Sequence, residues 1–565
     1  MVGIPTCTVE SLRNSSSGFG EKSCTLTSWL VLWSLPPCAT DMAALAPSFL
    51  GELLLVLRLG APQSLQQVAM FVPRTIVLMV VGNLDDGDRL VAAAGLGTMY
   101  ANFSGLMMLI STSLGATSVF SQAYGSGNHR RVGHLLLRLL AIQAVGIVGF
   151  SLPLTALATP ILVAVGFPPD VVADTQAFLW VRLAAVPFMA ITLSLTRFLV
   201  AQALPNLPML VQLAGSVSQI LLAPLLTARI GFLGAPLAMS LADAATGIAL
   251  AAAARWLLSK RGLRSWPRCE WRSALSGWSE MLRLGVAASC MTVSEWLSWE
   301  LNLFVAQGLC DAGTVCAAVE AFPIATVTMP IPFLVALGPN LAASSRVGNL
   351  LGEGRPADAK RCARTAWVIA ICLALLLYVF CCSLRRPLAA LFVDGARHAE
   401  IVEEATRLAV WTFAYAALAT MGPGWSQQLL LGIGGSLRIP AIGNALCYLP
   451  IALPLAHFLA FDAGQGVRGL WMGLNCGMLL IVCYQHVMIC RVDWARASAD
   501  AIERSKNETS GVSRQPDREA DNVRLASADG AAEQAAIGIA IGDSTRTIAI
   551  SSTAKVAQGD AAPPK

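Results

Sequence analysis

The sequence has 565 residues, of which 55% are hydrophobic and 13% are charged, and its mean hydropathy is +0.63. Soluble globular proteins carry about 25% charged residues, so this composition excludes a soluble enzyme or binding domain. The net charge of +5 is small, and we expect no nucleic-acid partner.

The two ends of the chain differ from its middle. Residues 1–49 contain one apolar run, Ser28–Pro36, which is too short to span a bilayer, so we predict a disordered leader there. From Arg491 onward the chain is polar and rich in Ala, Ser, Asp and Arg. This composition predicts a disordered cytoplasmic tail over residues 491–565.

Long apolar runs between these ends predict twelve membrane-spanning helices, because a helix needs about 20 apolar residues to cross about 30 Å of hydrocarbon. The predicted helices lie near 58–82, 91–121, 132–156, 171–197, 207–229, 234–258, 281–308, 314–346, 361–384, 403–432, 439–461 and 466–490. We therefore predict an all-α integral membrane protein. Its N-lobe covers residues 50–259 and its C-lobe residues 281–490, with a basic interlobe loop over residues 260–280.

Basic residues concentrate in alternate predicted loops. They include Arg130 and Arg131, the loop over residues 260–272, and a group from Arg355 to Arg364. Because basic loops of membrane proteins face the cytoplasm, both termini are predicted to be cytoplasmic. The pattern does not distinguish the plasma membrane from a vacuolar or other endomembrane.

The two predicted lobes are related by an internal duplication. Corresponding segments occur in the same order in both halves: Leu57–Gly60 and Leu282–Gly285, Gly125–Gly127 and Gly352–Gly354, and Gly231–Gly234 and Gly466–Gly469. Six spans per repeat give both lobes the same orientation, so a pseudo-two-fold axis lies along the membrane normal. Two such lobes enclose a central cleft, and rocking one lobe against the other exposes that cleft to each side in turn.

The seventh predicted helix carries a polar stripe. Thr292, Glu295, Ser298, Trp299 and Asn302 fall on one side of this helix at 100° per residue. Glu295 lies about 14 residues, roughly 21 Å, from the predicted helix start, which places it near the membrane midplane. Burial disfavours a charged carboxylate, so a glutamate at this depth can bind and release a proton near neutral pH. We predict Glu295 to be the coupling site; a structural polar contact is the alternative.

Other ionisable groups in the predicted spans are weaker candidates, because each needs a partner or water in the bilayer. Glu300 lies about 140° around the helix from Glu295, so it either supports coupling or contacts substrate. The duplication places Arg74 at the repeat position of Glu300, which predicts a salt bridge or an anion site, with snorkelling as the alternative. Asp243 and Glu320 are assigned no role.

The sequence also argues against two further classes of protein, P-loop ATPases and proteins stabilised by disulfides or zinc. The lysines do not occur in a Gly-rich GK[ST] context, which excludes a P-loop ATPase. The 15 cysteines are scattered through apolar helices, so we interpret them as small buried hydrophobic residues rather than disulfide or zinc ligands. No metal site is expected.

Several motifs resemble those of the multidrug and toxic compound extrusion (MATE) transporters, in particular the eukaryotic branch. They are Ser121–Gly127 (SQAYGSG), Arg197–Gln202 (RFLVAQ), Glu295–Glu300 (EWLSWE), Ala342–Asn349 (AASSRVGN), Gly469–Gly473 (GLWMG) and Asp493–Trp494. The resemblance runs through both lobes in order, over about residues 55–495.

This resemblance implies a two-lobed antiporter of twelve helices that expels organic compounds in exchange for protons or, in some members, sodium. By this resemblance, Glu295 occupies the position of the acid in the seventh span of the family, and Glu300 occupies the position of the second acid of the same motif. Some relatives carry acids in the eighth and tenth spans, where this chain has Ala325 and Thr420. Bacterial relatives keep an Asp in the first span, near the position of Arg74. An anionic or zwitterionic substrate is compatible with these differences.

We therefore predict a secondary active antiporter, not an enzyme, that exports xenobiotics or metabolites by alternating access. Its expected partners are a small-molecule substrate and the lipid bilayer. We expect a monomer with no cofactor other than H⁺ or Na⁺ as coupling ion. Asn102, Gln202, Trp296 and Trp299 are further candidates for the cleft or its gates. The alternatives are a flippase for lipids or lipid-linked precursors, a Na⁺-coupled carrier, and an organic-anion exporter of the same fold.

Overall fold

The structure is a computed structural model that describes residues 48–262, 265–267, 274–309, 317–390, 399–435 and 437–512. The predicted disorder over residues 1–47 and 513–565 lies outside these ranges, as does most of the basic interlobe loop. The chain divides into two compact units, residues 1–505 and 506–565, and the fold described here is that of the first.

The described residues contain no strand and form twelve long helical segments, labelled α1 to α12. They are α1 (Phe49–Gly82), α2 (Gly87–Gly125), α3 (His129–Ala156, then Ala158–Val165), α4 (Pro169–Leu183 and Val186–Ala201), α5 (Asn206–Ile230), α6 (Gly234–Lys260), α7 (Trp278–Gln307), α8 (Ala317–Thr328 and Pro330–Gly352), α9 (Pro356–Ser383), α10 (Ala399–Ala419, then Thr420–Ser426 and Gln427–Ile433), α11 (Arg438–Phe461) and α12 (Gly466–Cys490). A short helix, Arg385–Ala390, follows α9, and α13 (Trp494–Val512) follows α12.

These helices confirm the predicted all-α fold with twelve spans. Eight helices within the described ranges are long and apolar enough to cross a membrane, and the two halves of α4, bent by 50°, form a ninth candidate. One of the eight, Asn206–Lys260, is a pair: the chain reverses at Gly231–Leu233, and α5 and α6 pack against each other. The more polar α7 and α10 complete the set of twelve.

Two of the breaks in the helices occur at prolines. The two parts of α8 are separated just before Pro330, and Pro423 lies inside a π-helical turn, Thr420–Ser426, in the middle of α10. Proline lacks a backbone N–H donor and clashes with the preceding turn, so it interrupts the regular helix.

The two lobes meet mainly at one end of the bundle, where α1 and α7 begin and α2 and α8 finish. We call this the closed end. Three glycines allow the close approach, since a Cβ on Gly60, Gly115 or Gly125 would meet the backbone of Pro339, Gly285 or Asn349 in the other lobe. A hydrogen bond of 2.6 Å from Ser64 Oγ to the carbonyl oxygen of Val335 also joins α1 to α8.

At the opposite end, which we call the open end, the helices pack mainly within their own lobes. The first part of α8, Ala317–Thr328, packs against α10 and α12, and the first part of α2, Gly87–Ala101, packs against α1 and α4. Among the described residues, the contacts between the lobes therefore concentrate at the closed end.

The prediction of a disordered tail from residue 491 is wrong for its first part. Trp494–Val512 forms helix α13, and up to Ser505 this helix packs on the closed end. Ser498, Ala501 and Ser505 form its buried face. Small residues at helical spacing are sufficient to pack against other helices, although they contribute little to mean hydropathy.

Candidate functional site

Glu295 is buried in the C-lobe, with 6% of its surface exposed. It lies about 17 residues, roughly 25 Å, from the first residue of the 30-residue helix α7. This position is just past the middle of the helix. The carboxyl group is therefore far from both ends of α7 and is not turned toward the surrounding lipid.

Two tyrosines from other helices of the C-lobe lie close enough to Glu295 to interact with it electrostatically. They are Tyr415 of α10 and Tyr448 of α11, which are both fully buried and are hydrogen-bonded to each other through their hydroxyl groups. A phenolic O–H can donate a hydrogen bond to a carboxylate. Glu295 therefore lies within electrostatic range of hydroxyl groups from two other helices of the C-lobe.

Trp299, one turn along α7 from Glu295, holds this cluster in place. Its indole Nε1 donates a hydrogen bond of 2.8 Å to the hydroxyl of Tyr415, and its ring lies at 5.7 Å from the Tyr415 ring in an edge-on arrangement. Trp296 stacks on Trp299 with ring centroids 5.9 Å apart. Trp471 of α12 also lies edge-on to Tyr415, with ring centroids 5.9 Å apart. We call Glu295, Trp299, Tyr415, Tyr448 and Trp471 the C-lobe cluster.

The remaining polar residues of the α7 stripe are buried along the same helix. Ser298 donates to the carbonyl oxygen of Glu295 at 2.6 Å, and Asn302 donates to that of Ser298 at 3.3 Å. The Thr292 hydroxyl and the Asn302 amide oxygen are buried without a hydrogen-bond partner among the described residues. A buried oxygen without a protein partner costs free energy unless water or a ligand reaches it.

Glu300 is half-buried and lies closer to the open end than Glu295. No ion pair joins it to Arg74 in the described part of the chain, so the salt bridge predicted from the duplication is absent there. Equivalent positions in two repeats need not touch each other. The side chain of Glu320, on the first part of α8, lies outside the described residues.

Arg74 instead faces the interior of the N-lobe. It lines a small cavity together with Arg182 of α4 and Asp243 of α6. Asn102 and Arg74 line an adjoining small pocket, so the structure brings these two candidates together. Arg182 and Asp243, which are 2.9 Å apart, form an ion pair. The sequence did not identify Arg182 or Asp243 as partners of Arg74. The one sequence signal was Asp243 itself, because an acidic residue inside a membrane span is costly without a partner.

Gln202 lies at the closed end rather than in the cleft. Its side-chain oxygen accepts a hydrogen bond of 2.6 Å from Ser265 of the interlobe segment, and its Nε2 donates to the carbonyl oxygen of Phe198. The neighbouring Ala201 carbonyl accepts a hydrogen bond from Asn349 of the C-lobe. Gln202 therefore ties the end of α4 to the segment between the lobes.

A buried ion pair that the sequence did not predict joins the lobes nearby. Arg346 Nε donates to Glu52 Oε1 at 3.2 Å, and the side chains are 8% and 4% exposed. The predicted start of the first span at residue 58 left Glu52 outside the membrane. Arg346 belongs to the AASSRVGN motif, but the motif does not identify its partner. Within the described ranges, no group of three or more His, Cys, Asp or Glu residues is arranged to hold a metal ion.

Comparison of the sequence with known protein families identifies the family to which the chain is similar. The MatE family model matches the chain twice, over residues 62–225 and 293–458, one match in each lobe. The chain is 25% identical over 475 residues to multidrug and toxin extrusion protein 1 of Danio rerio, covering 83% of this chain and 77% of that protein. It is also 25% identical over 424 residues to Protein DETOXIFICATION 36 of Arabidopsis thaliana, covering 74% and 81% of the two chains.

Structural comparison agrees with the family match. The crystal structure of the eukaryotic MATE transporter AtDTX14 superimposes with a TM-score of 0.73 at 20% sequence identity, covering 81% of this chain and 99% of that chain. This likeness supports the twelve-helix fold. Because the family model matches more than half of the residues, the chain belongs to the MatE family of multidrug and toxin extrusion transporters and is an integral, multi-pass membrane protein.

Proposed function

We propose that this protein is a secondary active antiporter that exports organic compounds in exchange for protons, and that Glu295 is the residue that exchanges the proton. The observation that carries this proposal is the burial of the Glu295 carboxyl group in the middle of α7, within electrostatic range of Tyr415 and Tyr448. Family membership supports an efflux transporter. The proton as coupling ion is our inference from the site.

The proposal follows from the energetics of a buried carboxyl group. A charged carboxylate inside an apolar lobe is costly unless it is protonated, hydrogen-bonded or paired with a cation. A proton or a bound cation therefore compensates the buried carboxylate. A proton and a cationic substrate compete for the same carboxylate. Protonation from one side of the membrane therefore releases the substrate there.

Exchange also requires that the site faces each side of the membrane in turn. The lobe contacts at the closed end correspond to one of the two required states. We propose that the other state forms when the closed-end contacts break, including the pair formed by Glu52 and Arg346. A site reached alternately from the two sides converts a proton gradient into substrate export, and each proton that moves down 100 mV supplies about 2.3 kcal/mol.

We further propose that the closed end faces the cytoplasm, together with both termini. The basic residues at the start of α3 and at the start of α9 lie at this end. Positive residues favour the cytoplasmic side during membrane insertion. The orientation can be tested by labelling a cysteine introduced at Asn128, in the turn between α2 and α3, with a membrane-impermeant maleimide in intact cells.

Transport by purified protein in liposomes tests the proposed function. Tetraethylammonium is a suitable substrate because its charge does not change with pH. In vesicles with an imposed pH gradient, we expect wild-type protein to accumulate it against its gradient and Glu295→Gln to lose this accumulation. Glu295→Asp keeps the acid and should retain part of the activity. Glu403→Gln removes an exposed acid of α10 and is the control.

The result that would overturn the proposal is pH-driven accumulation by Glu295→Gln at the wild-type rate. A sodium gradient imposed without a pH gradient distinguishes the coupling ion. If sodium alone drives accumulation and the pH gradient does not, the protein is a sodium antiporter and the proton assignment is wrong.

A further inference from the structure

A basic surface at the closed end of the C-lobe is not used by the proposed proton exchange. Helix α9 begins at this end and carries Lys360, Arg361 and Arg364 near its start, after Arg355. Arg355 and Arg361 both pair with Asp358, at 2.7 and 3.0 Å. Lys360 and Arg364 are exposed and form no ion pair with another residue that the structure describes. These two positive charges are therefore available to an anion from outside the protein.

Lys360 and Arg364 lie on a side of α9 that continues as an exposed apolar stripe. At 100° per residue, Lys360 lies about 40° from Arg364 around the helix, and Leu375 lies about 20° from it. Leu375 and Val379 are each 61% exposed. Exposed apolar side chains in the middle of a span contact the acyl chains of the bilayer. The basic pair therefore stands at one end of a lipid-facing stripe.

The length of this stripe matches one layer of lipid. Leu375 lies about 11 residues, roughly 16 Å, from Arg364 along the helix. Half of a hydrocarbon core of about 30 Å is about 15 Å thick. If acyl chains lie against Leu375 and Val379, the headgroup that carries them lies at the depth of Arg364 and Lys360.

Aromatic rings mark the same depth. Trp367, less than one turn along α9 from Arg364, is 36% exposed, and its ring centroid lies 5.6 Å from that of His486 in α12. The His486 ring also lies 5.7 Å from that of Trp425 in α10. Tryptophan is enriched where the bilayer meets water, because its ring is largely apolar and its N–H is polar. Trp367 therefore places the basic pair at the level of the lipid headgroups.

A phospholipid with a net negative charge matches this surface in both of its parts. The planar N–H fork of Arg364 suits the oxygens of a phosphate, and Lys360 adds a second positive charge. The apolar stripe suits an acyl chain, which a free phosphate ion lacks. A zwitterionic lipid brings its own cation to the two basic side chains, so it gains less from them.

We infer that the surface formed by Lys360, Arg364 and Trp367 binds an anionic phospholipid, with its phosphate against the basic pair and an acyl chain along Leu375 and Val379. The ring contact between Trp367 and His486 joins α9 to α12 and holds the surface in position. This inference does not rest on proton exchange at Glu295. It also does not rest on the proposed orientation, because phospholipid headgroups lie on both sides of a membrane.

Binding of phosphatidylglycerol to the purified full-length protein in detergent tests the inference. Native mass spectrometry counts the bound lipids and gives the Kd of the tightest site, with phosphatidylcholine of the same acyl chains as the reference lipid. We expect wild-type protein to bind phosphatidylglycerol more tightly than phosphatidylcholine. The double variant Lys360→Gln, Arg364→Gln should raise the Kd for phosphatidylglycerol roughly tenfold or more, because two surface charges are lost. Both residues are exposed, so the unfolding temperature without added lipid should stay unchanged.

Two further variants control for net charge and for the side chains themselves. The double variant Arg385→Gln, Arg386→Gln removes the same charge from exposed arginines beyond the other end of α9, and its Kd should equal that of wild type. The exchange Lys360→Arg, Arg364→Lys keeps both charges and should keep most of the affinity. Glu295→Gln should bind phosphatidylglycerol like wild type, so a failure of proton coupling leaves this result unchanged.

Three results would overturn the inference. They are equal Kd values for wild type and the double variant Lys360→Gln, Arg364→Gln; equal Kd values for the two lipids; and an equal increase of Kd in the double variant Arg385→Gln, Arg386→Gln. Inorganic phosphate at the same concentration as the lipid should not displace it. Displacement by phosphate would assign the surface to a free anion and contradict a lipid site.

Discussion

Arg346 in the second part of α8 and Glu52 near the start of α1 form a buried ion pair that joins the two lobes, with Nε and Oε1 3.2 Å apart. Alternating access requires the lobes to separate at this end. The pair is therefore a contact that must break once per cycle. Removing one partner of a buried pair costs about 3–5 kcal/mol, since the other charge is left without compensation.

Glu52→Gln should therefore open the closed end more often. Cys362 of α9 is fully buried and hydrogen-bonded to Glu52, which makes it a probe of this opening. In protein whose other cysteines are replaced by alanine, we expect Glu52→Gln to raise the rate of Cys362 labelling by a maleimide at least about tenfold.

The double variant Glu52→Gln, Arg346→Met removes both charges and is the comparison. Its labelling rate should return part of the way to that of the parent, because no isolated charge remains. If Glu52→Gln labels at the parent rate, the ion pair does not hold the closed end.

Gly125 supplies a second test of the same contact. A Cβ at this position would lie about 2.8 Å from the carbonyl carbon of Asn349 in the other lobe. We expect Gly125→Ala to push α2 and α8 apart and to increase Cys362 labelling. Gly149→Ala places a Cβ where nothing lies within 4 Å, so it controls for the loss of a helical glycine. Equal labelling of the two variants would exclude a steric role for Gly125.

Helix α13 is predicted to restrain the closed end by contacting both lobes. Arg131 at the start of α3 donates to the carbonyl oxygen of Arg504 at 2.6 Å, and Arg504 Nη1 donates to the carbonyl oxygen of Gly434 after α10 at 2.8 Å. Truncation after Arg491 removes both contacts and should raise Cys362 labelling several-fold, while truncation after Val512 leaves them in place. Faster labelling only in the Val512 truncation would contradict this role.

The hydroxyl of Tyr415 is predicted to support proton exchange. Tyr415→Phe leaves the indole N–H of Trp299 without its acceptor and removes the hydroxyl that is bonded to Tyr448. An unsatisfied buried donor costs about 1–3 kcal/mol, so pH-driven uptake of tetraethylammonium should fall by about tenfold. Tyr100→Phe loses a comparable hydrogen bond in the N-lobe, to the carbonyl oxygen of Leu154 at 2.7 Å. Equal uptake by the two variants would remove Tyr415 from the exchange site.

Local patterns in the sequence were sufficient to predict the helices and the stripe on α7. Helical periodicity is a property of neighbouring residues, so Thr292, Glu295 and Asn302 could be placed on one face without a structure. The neighbours of Glu295 could not be predicted in this way. Tyr415 and Tyr448 lie more than a hundred residues along the chain, and their proximity depends on how α7, α10 and α11 pack.

The internal duplication predicted the topology correctly, but the salt bridge that it suggested between Arg74 and Glu300 is absent from the described residues. Two similar halves fix the number and direction of spans, but they show only which positions are equivalent, not which positions touch. Arg74 and Glu300 are equivalent, yet Arg74 faces Arg182 and Asp243 in its own lobe. The helix α13 was missed for a different reason. Its buried residues are small, so the segment resembles a polar tail in composition although its periodicity is helical.

Proton release on substrate binding tests the central claim most directly. Purified protein in weakly buffered detergent solution near neutral pH is mixed with tetraethylammonium, and the protons released are counted with a pH indicator. We expect wild-type protein to release about one proton per substrate bound, or the fraction of one that Glu295 carries at that pH, and Glu295→Gln to release none. Release of the same number of protons by Glu295→Gln would contradict the assignment of Glu295 as the group that exchanges its proton for substrate.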